Sequence, residues 1–246
     1  MSATKLKNAP LKEVIFELHW GCVSDPAGLK SDPGFDLAQG KFAEKIKSGF
    51  DLHRRLFPDS VSSAVFGVPI HQYWSGELKW PVIQHGRGIM TINQTEQDYE
   101  WKKQYKPLVT NTIRRLIDSY SEYPKFTKVK LQYIDAWELD GIDPVQFLKV
   151  NLQTEITTSY LLPGPLMNIS ILQRFQLPGD SIMSLNISDG INTKNGKKSV
   201  LWTTTVEKKG PVKYEDIKVW IEEAHTYTSD FFKKMLNPEF YASLDR

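Results

Sequence analysis

The residues with chemical potential are scattered along this 246-residue chain. His85-Gly-Arg-Gly88 sets a guanidinium between two glycines. Backbone amides left open by Gly86 and Gly88, together with Arg87, are the parts from which a phosphate or ligand cradle is built. The segment leads into a strand-like run rather than opening a helix, so the dinucleotide and P-loop fingerprints are not met. A tight bend or bulge that requires glycine accounts for the same residues. Five histidines are present, His19, His53, His71, His85 and His225. None has an i, i+4 partner and no His-Glu-x-x-His occurs, so helical zinc chemistry has no support and neither a metal nor a cofactor is expected. Spacing alone leaves open a site assembled from distant histidines.

Other groups are weaker still. Glu13 and Glu17 flank one apolar run, and Asp135 and Glu138 follow another. Adjacent strands can bring such carboxylates together for acid–base work, but their alternation with apolar residues suits a solvated sheet face. Cys22 stands beside Trp20-Gly21 with His19 close in sequence, whereas a catalytic Cys–His pair is a contact in space. No Gly-x-Ser-x-Gly elbow is found. No catalytic residue is therefore assigned. Lys194, Lys197 and Lys198, with Lys208-Lys209, form a basic cluster able to touch nucleic-acid phosphates, although charged hairpin tips are usually just solvated. Tyr73, Trp74 and Trp80 lie among turn residues and form either an exposed interaction surface or core filling.

The elements that must position these groups follow from periodicity. Val14–Trp20 and 128–139 read as strands, as do 63–68, 71–74, 81–84, 89–92, 166–177, 181–188 and 199–207. Residues 24–34 hold Asp25-Pro26, Gly28 and Asp32-Pro33-Gly34 and read as a loop. Apolar spacing predicts a helix over 35–57, interrupted by Gly49 and stopped by Pro58. It predicts a clear amphipathic helix from Tyr105 to Tyr120 with Pro107 near its start, and a last helix over 214–236. Asp98 is the expected cap of the first of these. Asp143-Pro144 opens a short helix, and Asn195-Gly196 is a hairpin signal.

Composition narrows the class. Apolar residues make up 40% and charged residues 24%, which fits a folded globular chain and argues against disorder. A net charge of +2 lacks the basic excess of a typical nucleic-acid binder. The single cysteine rules out a disulfide within the chain and a cysteine-rich zinc site. With no secretory signal and no long apolar run, the expected location is cytoplasmic, with no membrane association.

The two halves also resemble each other. Each opens with a strand, continues through a helix and further strands, and ends with a Thr-containing strand, a Tyr-Glu pair and a long helix. Thr91-Ile-Asn93 with Tyr99-Glu100 matches Thr204-Thr-Val206 with Tyr214-Glu215. The expected fold is therefore α+β: two β-α-β-β-(β)-α halves, 1–124 and 125–246, forming mainly antiparallel sheet with long helices on one face and a pseudo-two-fold between them.

Asn8-Ala-Pro-Leu-Lys-Glu-Val-Ile-Phe-Glu17 with Trp20 resembles the opening of a sporadically distributed family of uncharacterised bacterial proteins. Pro81 to Asn93 with Tyr99 and Trp101, Leu131 to Asp135, and Ala224-His225 with Phe231 and Asn237-Pro238-Glu239 are similar to that family's later segments. The stretches 23–34 and 192–198 depart from its pattern. The resemblance supplies no activity; its patchy distribution implies an accessory gene, carried with mobile or anti-phage defence systems. The leading expectation is a non-enzymatic interaction subunit whose partner is another protein. The alternatives are a small-ligand or nucleotide regulator using Gly86, Arg87 and Gly88, and a nucleic-acid binder using Lys194, Lys197 and Lys198. The oligomeric state is not legible.

Overall fold

A computed structural model describes residues 6–21, 23–24, 30–58, 66–95, 99–154 and 168–245. Strand β1 (Leu11–Trp20) shows the period of two that builds the fold. Val14, Phe16, Leu18 and Trp20 are buried on one face, while Ile15, Glu17 and His19 are half-buried on the other. A two-residue ribbon, β2 (Val23–Ser24) with β3 (Lys30–Ser31), precedes helix α1 (Phe35–Ile46). Strands β4 (Leu52–Arg55), β5 (His71–Trp74), β6 (Val82–Gly86) and β7 (Ile89–Thr95) follow. A π-helical turn at Trp101–Tyr105 runs without a break into α2 (Lys106–Ile117), Lys106 N donating to Trp101 O; Pro107 therefore lies inside the continuous helix, where it supplies no N–H to the turn before it.

Strand β8 (Phe126–Glu138) opens the second half, then α3 (Pro144–Asn151). Asp143 caps α3, its Oδ1 accepting from Val145 N at 2.9 Å and Gln146 N at 3.3 Å. Strands β9 (Ser170–Leu177), β10 (Ser181–Ile191) and β11 (Lys198–Val212) lead to α4 (Tyr214–Met235) and α5 (Pro238–Ser243). The strand order is β4-β5-β6-β7-β1-β8-β11-β10-β9 in one nine-stranded, largely antiparallel sheet.

The chain forms two compact units, and each is assembled from separate stretches. One takes 14–131 and 207–222; the other takes 1–13, 132–206 and 223–246. Strands β1, β8 and β11 and helix α4 therefore each contribute residues to both, and these units are not the halves 1–124 and 125–246. In the first unit Phe16, Phe42, Ile83, Met90, Ile92 and Ile113 form the interior. Its portion of α4 is held to α2 by Glu222, which accepts from Trp101 Nε1 at 2.9 Å and pairs with Lys106. In the second unit Trp202 is fully buried and meets Trp137, Phe231 and Phe232 in an aromatic cluster against α4.

Two sequence expectations change. The helix expected over 35–57 ends at Ile46, because Leu52 and Leu56 belong to a strand and its exit rather than to a helical stripe. The 24–34 loop contains the β2–β3 ribbon. The hairpin signalled by Asn195-Gly196 joins the neighbouring strands β10 and β11; its connection runs through residues 192–197, closed by Gly196 N donating to Asn192 O at 2.8 Å. Asp98, Cys22 and most of the strand expected at 63–68 lie outside the described residues.

Candidate functional site

Arg87 and Gly88 form the turn between β6 and β7, where Gly86 pairs with Ile89. The chain at 66–70 runs over this turn: Gly67 N donates to Arg87 O at 2.8 Å and Ile70 N to His85 O at 2.9 Å. A Cβ on Gly86 would lie 2.0 Å from Val68 O, and one on Gly88 (φ +68°) would lie 2.2 Å from the Phe66 ring. The glycines thus admit the protein's own backbone. The guanidinium of Arg87 is engaged as well. Its Nη2 donates to both carboxylate oxygens of Asp36 at 2.8 and 2.9 Å, Nη1 donates to Asp32 O at 2.8 Å, and the group sits over the Phe35 ring. Asp32 is buried and its Oδ2 accepts from Trp20 Nε1, Tyr120 Oη and Gly88 N. Gly86, Arg87 and Gly88 thus form a tight bend that needs glycine, and Arg87 ties α1 to the β6–β7 turn.

Three histidines remote in sequence converge beside this bend. Antiparallel register puts His71 opposite His85, and His53 opposite Tyr73. His53 Nε2 lies 2.9 Å from His71 Nδ1, and the His53 ring stacks on Tyr73. His85 is fully buried among Trp20, Phe35 and Phe42, and neither ring nitrogen has a hydrogen-bond partner among the described residues. Burial, aided by the charge of His71, pushes His85 down to about 3; burial, His53 and Arg55 push His71 down to about 4. Both rings are therefore neutral at pH 7. Among the described residues no group of three or more His, Cys, Asp or Glu side chains is placed to hold a metal.

His85 gives a direct stability prediction. One neutral ring nitrogen must carry an unpaired buried N–H, which costs about 1–3 kcal/mol. His85→Phe should therefore raise the unfolding free energy at pH 7 by about 1 kcal/mol after some overpacking. A base with a depressed folded value loses stability as pH falls from its unfolded value of about 6.5, so the variant should also have a shallower acid limb. Urea titrations at pH 7 and pH 5 check both; a destabilised variant with an unchanged acid limb would mean the ring has a partner.

Burial corrects the expectation of an aromatic interaction surface. Tyr73 is 1% and Trp74 7% exposed, on a strand paired on both sides, so they fill the core. Burial pushes the Tyr73 phenol up to about 12, partly offset by the Gln39 N–H that it accepts at 3.1 Å. Trp80 is half-buried and packs edge-on against Trp74. The basic tip is locally compensated: Lys197 Nζ bonds Asp140 at 2.9 Å and approaches Glu138 at 3.4 Å, and Glu138 also accepts from Asn192 and Asn195. Lys194 and Lys198 are exposed.

Two carboxylates stand out. Glu17 meets two ammoniums and a histidine rather than another acid: Lys130 at 2.6 Å, Lys128 at 3.1 Å and His19 at 2.6 Å. Burial makes it a weaker acid, but the His19 hydrogen bond and the two ammoniums outweigh this and hold the carboxyl well below the usual range. Asp135, expected on the solvated face, is buried on the same face of β8 as Leu131, Tyr133 and Trp137. Burial pushes its carboxyl up to about 7, against a weaker opposing pull from Lys12. Beside it on β8, Tyr133 Oη lies 2.8 Å from His225 Nδ1. The phase was readable in the sequence, since 129, 131, 133, 135 and 137 alternate together.

A feature the sequence reading missed lies at the sheet margin. Among the described strands β9 pairs only with β10, and most of its residues are exposed on both faces. Leu172 is 59% and Phe175 38% exposed. Phe175 touches Phe231 of α4. The signal was the composition of Ser170–Leu177, which has one charge, Arg174, and neither Gly nor Pro. The opposite edge, β4, is four residues long and carries Arg54 and Arg55.

No helix among the described residues is long and apolar enough to cross a membrane. No protein-family model matches the chain, and no curated protein matches it.

Proposed function

We propose that this protein is a non-enzymatic interaction subunit, an adaptor, sensor or assembly component of an accessory bacterial system such as anti-phage defence. The β9 edge carries the reading. An eight-residue strand with exposed Leu172 and Phe175, one charge and no proline offers another strand a backbone edge that no other described strand occupies. Natural edges are normally blunted by shortness, charge or proline, as β4 is. The resemblance to the sporadic bacterial family supports the accessory setting. In the same reading the halves derive from a duplicated β-α-β-β-(β)-α unit; each opening strand lying beside its closing strand, β1 by β7 and β8 by β11, supports that descent.

The test is a pull-down from the native host with the wild-type chain and with Leu172→Lys. The expected result is a stoichiometric protein, this chain's own untagged copy included, that the variant loses by about tenfold or more. Recovery of only a small molecule, unaffected by the variant, would replace this reading with the ligand-regulator one. Asp135, a buried acid with a near-neutral titration, favours that second reading more than the fully engaged Arg87 does.

A further inference from the structure

We infer that β9 pairs antiparallel with β9 of a second copy of this chain, about a two-fold axis passing through Gln173. The inference rests on the interaction-subunit reading and names the partner. Across such an axis, residues directly opposite share a face, so only registers centred on a residue are allowed. For Ser170–Leu177 the two longest overlaps are centred on Gln173 and Arg174. Centring on Arg174 sets like charges directly opposite, which is destabilising. Centring on Gln173 sets Ile171 opposite Phe175 of the second copy, twice, on the face where Phe175 already meets Phe231. The same register sets Leu172 against the aliphatic stem of Arg174, and the two Gln173 amides against each other. The strand's own sequence thus supplies apolar pairs, a polar centre and no opposed charges.

The contrast between edges sets the stoichiometry. Pairing through β9 consumes that edge in both copies, and β4, short and with Arg54 and Arg55, is a poor template for a further strand. The assembly therefore closes as a dimer and does not propagate, as an isologous contact requires.

Gln173 is exposed, so charge there leaves the core intact. The full chain would be examined by sedimentation velocity over a dilution series at low salt, as wild type, Gln173→Lys, Gln173→Glu and an equimolar mixture of the two. Wild type should sediment at twice the 28.3 kDa chain mass. Each variant alone places like charges on the axis and should weaken association about fivefold. The mixture should recover a heterodimer tighter than either variant. A wild-type monomer throughout, or a dimer indifferent to both substitutions, overturns the inference. Hydrogen exchange separates this failure from that of the wider reading. The β9 amides not bonded to β10 report the outer edge: protection of these only when host extract is added would overturn self-pairing and retain the interaction reading, whereas no protection of them in either condition would overturn the two together.

Discussion

Gly86→Ala is expected to destabilise the protein by at least about 3 kcal/mol, or to prevent soluble expression, because the added methyl has no space to enter. Its Cβ would lie 2.0 Å from Val68 O and 3.1 Å from Pro69 Cα, both backbone atoms. Relief requires the chain at 66–70 to lift, breaking the bonds from Gly67 N to Arg87 O and Ile70 N to His85 O. Lifting it would also carry the Phe66 ring away from Gly88, against which it is closely packed. Gly67→Ala is the control. Gly67 has φ +73° with nothing within 4 Å of an added Cβ, so it should lose only about 1 kcal/mol of left-handed backbone strain. The pair also separates two readings of the glycines. Had Gly86 been kept open for a ligand's phosphate, Gly86→Ala would fold normally and fail only in binding. Equal urea midpoints for Gly86→Ala and wild type would show that the 66–70 chain does not rest on this turn.

The same turn shows what a sequence can disclose. The need for glycine at 86 and 88 was legible, since few alternatives fit a bend at that spacing, but the object brought close was not. It is a segment nearly twenty residues earlier, joined through non-local pairing. Likewise His53, His71 and His85 carry no shared spacing, and only the register of β4, β5 and β6 collects them. The strand carrying Tyr73 and Trp74 was readable, but whether these rings are exposed or fill the core was not, because the two neighbouring strands that bury them come from other parts of the chain. The long alternating strands and the two amphipathic helices at α2 and α4 were readable from period alone, because one buried face fixes the phase. Asp135 was misplaced against that same phase: its charge was given more weight than its position between Tyr133 and Trp137.

That misplacement has the second large consequence. Asp135 should make the native state less stable as pH rises, opposite to the trend from His71, His85 and Glu17. In the unfolded chain an aspartate ionises at about 3.9; here burial delays ionisation to about 7. Between those values the native state holds a proton that the unfolded state has released. Stability is full below the lower value and falls until pH passes the upper one, by a few kcal/mol, at about 1.4 kcal/mol for each pH unit between them. His71 and His85, with depressed values, and Glu17, held ionised by Lys128 and Lys130, lose stability in the acid direction instead. Asp135→Asn removes only the first trend. The variant should match wild type near pH 4, exceed it by roughly 2–4 kcal/mol at pH 8, and show stability that climbs with pH up to the histidine range. Urea unfolding across pH 4 to 8 reads this directly; equal stabilities at pH 8 would mean that the carboxylate is paired in the native state. A gain would show that the protein carries an acid at a cost to its own stability, the pattern of a group retained for function. Whether Asp135→Asn then still associates through β9 decides which function. Intact assembly in a more stable variant would assign the buried acid to a task separate from partner binding, and lost assembly would place its protonation upstream of the edge.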